Sequence, residues 1–580
     1  MTTFSETRLA RRRLGLLLAG SIVVICAIGA RLVQLQIFDH GHYLALAKSS
    51  QSHKYEVPAK RGQIYVLDGD QKSPLVLNQT LHTIYADPRF VSDKVKTAQA
   101  ISAITGASSA SYEQAMAAPG DYVVLARKVS DDQNDKIAAL KLSGIGSQDE
   151  NYRLYPEGSL ASQLLGFVNS EGKGQYGLEA YLDKDLAGTP GQLNATTDIN
   201  GIPIATANNL SKPPVDGNSY VLTIDRNIQA QAEKYLAAGV QAVGAASGSV
   251  VVIDPTSGAV KAMANYPTYD PSDYSHVSDF SLFSNSVTSN AFEPGSGFKT
   301  FTMATGLDTG KVTPSTTYND TGSFEVNGYT IKNSENRVYG SETMSQVILR
   351  SLNTGVMFVL RSLGTDPNKI TKEGKQVLYD YLTNHFAFGV KTGIEQAGES
   401  AGRVNSPKAS DVNYANMTFG QGLSITMMQM VQAYVPVANG GTMYQPYLID
   451  QVIHPDGSVS KTQPRVIKDH VISAATAAQL APMLEAVVDS GTGRATKIAG
   501  YKIAGKTGTA QVPKSDGSGY DPTKNIGSFT GFAPVGDPKF VMMVRINEPK
   551  TPGFAESTTV PVFGNIATWL LRYLAVPPSS

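Results

Sequence analysis

Residues 14–30, LGLLLAGSIVVICAIGA, carry no charged side chain. Extended through Leu32 and Val33, this run approaches the ~20 apolar residues an α-helix needs to cross a bilayer, where backbone polar groups must be satisfied inside the helix itself. Arg8, Arg11, Arg12 and Arg13 come just before it, and cations flanking an apolar run are retained on the cytoplasmic side. The expected arrangement is a cytoplasmic tail over 1–13, a single membrane-crossing helix over 14–36, and the rest of the chain outside the cytoplasmic membrane. A cleaved signal peptide competes, because Ala27, Ile28 and Gly29 faintly resemble a small-x-small cleavage site. Apolar character continues through Leu32, Val33, Leu35 and Ile37, which favours one helix leaving the membrane. Bulky Ile25 before Cys26 argues against a lipoprotein. Cys26 is the one cysteine, so no intramolecular disulfide can form, and the Cys and His residues offer no spacing for a structural zinc site. Neither a metal nor a cofactor is expected.

A chain of 580 residues exceeds one ordinary core and calls for about three folding units. Its 49 basic and 49 acidic residues cancel, which gives no electrostatic reason to expect nucleic acid as a partner. Residues 51–209 read as short strands and a few helices without a catalytic cluster, a pedestal or interaction domain expected over 50–210. SKPPVDGNSY, residues 211–220, concentrates Pro and Gly and is the best linker. The main domain is expected over 221–577. It opens with a strand, an Asp-containing turn and an amphipathic helix with Ile228, Ala232, Tyr235 and Leu236 on one stripe. GSVVVIDPTSGAVKAMAN then predicts two apolar strands around a Pro-Thr-Ser-Gly turn, and Asn327-Gly328 within FEVNGYTI predicts a hairpin. YKIAGKTGTAQV, SFTGFAPV and KFVMMVRIN predict three more strands, followed by the helix NIATWLLRYL.

The chemistry concentrates in three short motifs. EPGSGFKT holds Ser296 and Lys299 three positions apart after Pro294-Gly295, a plausible helix start, and i and i+3 share a helical face. A serine hydroxyl needs a base, and a lysine serves if burial or nearby positive charge pulls its pKa well below ~10.4. Backbone N–H groups at the helix opening favour a developing oxyanion. TMSQVILRSLNTG places Ser351 and Asn353 at the end of an amphipathic helix, a hydroxyl for proton relay and an amide for a substrate carbonyl or the lysine. GYKIAGKTGTAQV sets Lys506, Thr507, Gly508 and Thr509 on a strand, where Gly508 lets a ligand approach the backbone closely. Lys506 and Thr507 can bind a carboxylate, and the Thr509 N–H can complete an oxyanion hole. Each motif recurs elsewhere: Ser170 to Lys173, Ser458 to Lys461, Ser334 to Asn336, and Lys391-Thr392-Gly393. Those copies read as solvated or turn residues.

The order S-x-x-K, S-x-N, K-T-G is the set used by penicillin-recognising serine enzymes. RGQIY, YPEGSLASQLLGFV, GLEAYLDKDLAG, LTIDRNIQ, VVIDPTSGAVKAMANYPTYDP, AFEPGSGFKT, FGQGLSITMMQMVQAYVPVANGG and FTGFAPVGDP extend the resemblance to class B penicillin-binding proteins along nearly the whole chain after the apolar helix. One departure stands out. Tyr65, Val66, Leu67 and Asp68 follow where the family usually continues into Asp-Arg-x-Gly.

The resemblance implies an α/β (α+β) fold. Its transpeptidase domain would hold a five-stranded antiparallel-type sheet flanked by helices, after a mixed α+β, dimerisation-type pedestal and one transmembrane helix. It implies a serine D,D-transpeptidase with Ser296 as nucleophile, Lys299 as base, Ser351 as relay, and Asn353, Lys506, Thr507, Gly508 and Thr509 around the substrate. Implied partners are peptidoglycan stem peptides, β-lactams, the cytoplasmic membrane, a SEDS-family glycan polymerase and other divisome proteins. A septal role is expected over an elongation role, and transpeptidation over D,D-carboxypeptidase action or a non-enzymatic sensor or scaffold.

Overall fold

The computed structural model describes residues 3–69, 71–196, 210–514, 519–550 and 554–578, so the expected pedestal residues 197–209 lie outside the described residues. The chain forms two compact units, Met1–Lys60 with Gly188–Asp216, and Arg61–Ala187 with Gly217–Ser580. In the first, the helix Thr3–Val33 runs through a π-helical turn, Gln34–Phe38, to a second helix, His40–Gln51. The stretch Arg11–Phe38, with mean hydropathy 2.4, is long and apolar enough to cross a membrane. None of this stretch is buried, so its apolar surface is left uncovered by the described residues. A three-stranded antiparallel sheet joins Ser52–Val57 to Gly191–Thr196 and Leu210–Lys212.

The second unit holds two main sheets. The Pro- and Gly-rich stretch 211–220 carries the chain from one unit to the other between Asp216 and Gly217, and its last two residues already belong to the strand Ser219–Asp225. That strand lies between Ile64–Asp68, to which it is parallel, and Ile449–Ile453, to which it is antiparallel. Residues before and after the Pro/Gly stretch therefore share one hydrogen-bonded sheet, continued outward by the long strand Gln71–Ala86.

The other sheet follows the expected pattern: five strands, all antiparallel. They are β1 (Ser247–Ile253), β2 (Val260–Tyr266), β3 (Ala504–Pro513), β4 (Tyr520–Ala533) and β5 (Phe540–Asn547), in the order β2-β1-β5-β4-β3. β1 and β5 are apolar almost throughout because both faces are covered, and side chains alternate between two cores. Val250 and Val252 enter a core with Ile228, Ala232 and Leu236 of the helix Arg226–Ala242, with Tyr235 packed against its edge. Val251 and Ile253 enter the core on the opposite face. The first helix is capped by Asp225, whose carboxylate accepts from Asn227 N and Ile228 N. The Asn327-Gly328 turn joins Ser323–Val326 to Tyr329–Lys332, with both turn residues at positive φ (49° and 83°). The remaining helices used below are α1 (Lys299–Asp308), α2 (Met344–Arg350), α3 (Asn353–Ser362), α4 (Ala474–Ser490) and α5 (Ala555–Tyr573).

A buried ion network stands where RGQIY marks the sequence. Glu179 has no exposed surface and accepts from Arg61 Nε at 2.8 Å and from Arg153 Nε at 2.9 Å. Arg61 also reaches Asp183 Oδ1 at 2.8 Å, and Arg153 Nη1 donates to Gly62 O and Asn78 Oδ1, each at 2.7 Å. Removing one member of such a network leaves an uncompensated buried charge. Glu179→Ala is expected to lower stability by about 3–5 kcal/mol in chemical denaturation; a loss below about 1 kcal/mol, the range of exposed pairs, would show that water reaches both guanidinium groups.

Candidate active site

The first motif forms a tight 3-10 turn, Gly295–Phe298, that leads directly into α1. Gly295 sits at φ +57°, and a Cβ there would lie 2.5 Å from Thr509 O, so glycine is what lets this turn lie against β3. Gly295 N donates to Gly420 O at 3.1 Å, which fixes the turn from its other side. Ser296 is half-buried at the mouth of α1, whereas residues 299–307 are buried all round. Its hydroxyl has no hydrogen-bond partner among the described residues. Contacts of this kind often close only when substrate is bound.

Two of the predicted side chains converge on the hydroxyl of a third. Lys299 Nζ donates to Ser351 O at 2.5 Å and to Ser351 Oγ at 3.1 Å, while Lys506 Nζ reaches the same Oγ at 3.0 Å. Both lysines have no exposed surface. Loss of water pushes the Lys299 amine well below its ordinary pKa, and the neighbouring Lys506 charge pushes it further. Burial also lowers Lys506, to about 8, with Glu556 at the start of α5 pulling weakly the other way. Ser351 holds its position in a left-handed backbone conformation (φ 59°, ψ 46°). A non-glycine residue persists there at a cost of roughly 1–2 kcal/mol, offset by the hydrogen bonds it makes.

The left-handed Ser351 also ends α2, so Asn353 is the first residue of α3 rather than part of the helix end predicted for both residues. Its Nδ2 donates to Lys332 O at 2.7 Å, tying α3 to the hairpin strand Tyr329–Lys332, and does not reach Lys299. Below it, buried Asp320 accepts from Gly322 N at 3.0 Å, Asn333 Nδ2 at 2.9 Å, Tyr339 N at 3.0 Å and Thr354 Oγ1 at 2.7 Å. This carboxylate fastens the first turn of α3 to the strands beside it. On β3, Lys506 donates weakly to Thr507 O, and the Thr507 hydroxyl pairs with Thr492 Oγ1 at 2.7 Å. Thr509 Oγ1 accepts from Ala555 N at the start of α5.

The other motif copies lie apart from this constellation. Lys173 pairs with Glu171 on the surface, Ser458 Oγ donates to Asp456, and residues 334–336 form an exposed turn. Thr392 and Gly393 give their N–H groups to Glu399.

The family pattern described as the penicillin binding protein transpeptidase domain matches residues 248–568, and the one described as the penicillin-binding protein dimerisation domain matches residues 56–222. This chain belongs to the class B penicillin-binding proteins. Similarity to individual members runs almost end to end. Stage V sporulation protein D of Bacillus subtilis is 33% identical over 98% of this chain and 86% of that protein. Peptidoglycan D,D-transpeptidase FtsI of Escherichia coli is 29% identical over 97% of this chain and 92% of its own length. Penicillin binding protein 3 from Mycobacterium tuberculosis, solved with aztreonam, superposes with a TM-score of 0.69 at 28% identity, covering 91% of this chain and 98% of that one. With the transpeptidase domain present and relatives so named, the chain is a peptidoglycan D,D-transpeptidase.

Sequence reasoning missed Thr492, Asp320, Asn333 and Glu293 as neighbours of the site. Glu293 stands inside the AFEPGSGFKT stretch, yet nothing in its spacing marks it. Gly508 was singled out, and its reason is now visible: a Cβ there would collide with Pro294 O and meet Ser528 Oγ at 2.5 Å. Gly508→Ala is therefore expected to push β3 off the turn that carries Ser296 and slow acylation by penicillin at least about tenfold, the effect of about 1.4 kcal/mol on a barrier. Stopped-flow acylation rates at near-normal folding would reveal it, and a rate equal to the parent's would show that the turn can yield.

Proposed function

We propose that Ser296 is the acylated nucleophile, activated by Lys299, and that the chain cross-links stem peptides in septal wall synthesis. The observation that carries the catalytic part is the meeting of two buried lysines on Ser351 Oγ, one of them, Lys299, three residues after Ser296. A neutral Lys299 takes the Ser296 proton as Oγ attacks the carbonyl of the bond between the two terminal D-alanines. The oxyanion is held by backbone N–H groups of Ser296 and Thr509. The C–N bond then breaks, Ser351 passes a proton to the departing amine, and D-alanine leaves behind an ester on Ser296. An amine of a second stem peptide attacks that ester, and Ser296 regains its proton. Charged Lys506, with the Thr507 hydroxyl, binds the terminal carboxylate. Asn353, anchored through Nδ2 to Lys332, keeps Oδ1 as an acceptor for a substrate amide, and Gly508 lets β3 lie close against the turn that carries Ser296. β-Lactams imitate the D-Ala-D-Ala end and stop at the ester.

The septal part of this reading rests on the resemblance to the division-specific class B enzymes. The four arginines before the apolar run support an N-terminus in the cytoplasm and a catalytic unit outside it. A SEDS-family glycan polymerase and other divisome proteins are the partners this reading implies.

Labelling with a fluorescent penicillin is expected to vanish in Ser296→Ala; equal labelling of parent and variant removes Ser296 from its role. The lysines predict a pH profile. Lys299 acts only when neutral, so acylation rises with pH through its depressed pKa, and Lys506 binds carboxylate only when charged, so acylation falls above about 8. In Lys506→Arg the guanidinium stays charged beyond about pH 12, and the alkaline limb is expected to disappear. A limb that stays near pH 8 in that variant belongs to another group.

A further inference from the structure

The carboxylate of Glu293, three residues before Ser296, joins three segments. It accepts from Gly422 N at 2.8 Å and from Tyr520 OH at 3.2 Å to Oε1 and 2.9 Å to Oε2. Gly422 lies two residues beyond Gly420, whose carbonyl receives Gly295 N. Tyr520 opens β4 and pairs in register with Pro513, the last residue of β3. Burial raises the Glu293 carboxyl above its ordinary pKa, against the pull of both hydrogen bonds. The acid-base chemistry of Ser296, Lys299 and Ser351 has no use for either residue.

The direction of the substrate decides what this junction does. β3 is the edge of its sheet, so an extended peptide can lie along its open side. On the catalytic reading above, the terminal carboxylate lies at Lys506 and Thr507, and the scissile carbonyl at Thr509. Stem residues that precede the scissile bond then continue along β3 past Ala510 toward Gln511 and Val512, at ~3.3 Å per residue. That is the end at which Tyr520 returns and is tied to Glu293.

We propose that the Glu293–Tyr520 pair is a positioning clasp for the donor stem peptide. It holds the start of β4 against the nucleophile's turn and so forms the end of the groove that receives the stem residues upstream of the penultimate D-alanine, including the diamino acid. It touches no reacting atom. Ligands that consist of little more than the D-Ala-D-Ala end do not extend to it.

The inference rests on Ser296 as nucleophile, and its test separates the two. With the full chain in detergent, D-alanine release is measured from a synthetic stem pentapeptide and from N-acetyl-D-Ala-D-Ala, together with acylation by 6-aminopenicillanic acid, which has no acyl side chain. Tyr520→Phe removes one hydroxyl; it is expected to raise KM for the pentapeptide about fivefold, with kcat held within about twofold and the two short ligands shifted by less than about twofold. Glu293→Gln, which keeps an acceptor for Tyr520 and Gly422, is expected to stay nearer the parent than Glu293→Ala. An equal loss on long and short ligands makes the pair merely structural and overturns the proposal, as does an unchanged pentapeptide KM. Either result leaves Ser296 in place if Ser296→Ala still loses all acylation.

Discussion

Two lysine amines without water, sharing one serine hydroxyl, are the interaction on which the rest of this structure depends. A buried ammonium is costly, and two of them side by side are more so, which holds the Lys299 amine well below its ordinary pKa. A depressed pKa of this kind is what the proposed role of Lys299 as base requires. It works only while α1 is sealed on every side, which is why residues 299–307 are buried and why the sheet behind them is apolar on both faces.

Close approach is the second constraint. The turn that carries Ser296, the edge strand β3 and the turn at Gly420 meet backbone to backbone, and glycines at 295 and 508 are what permit it. Around that contact, carboxylates act as fasteners. Asp320 gathers four donors from the connections between neighbouring strands and from helix α3, and Glu293 joins its own segment to Gly422 and to Tyr520 at the start of β4. Charge at such points is tolerated because each carboxylate is supplied with several donors.

Away from the site, the same logic recurs in the Arg61–Glu179–Arg153 network. The strand Ser219–Asp225, hydrogen-bonded on one side to Ile64–Asp68 and on the other to Ile449–Ile453, makes residues on both sides of the Pro/Gly stretch parts of one sheet. In a class B penicillin-binding protein this gives the segments matched by the dimerisation and transpeptidase patterns a common backbone ladder.

Much of this was legible in the residues, because local physics is periodic. The apolar run 14–30, the apolar runs in β1 and β5, the stripe on Arg226–Ala242, the Asn327-Gly328 turn and the glycine at 508 all announce themselves within a few positions. The order of the three motifs identified the family and its chemistry. What the sequence could not decide is how distant segments meet. Lys506 and Ser351 are 155 positions apart, and Glu293 and Tyr520 are 227 apart. Asn353 Nδ2 donates to the backbone of Lys332, 21 positions earlier, a pairing that nothing in its spacing marks. Such pairings are selected by packing and by the need to satisfy every buried polar group at once, a condition of the whole fold that no window of sequence contains.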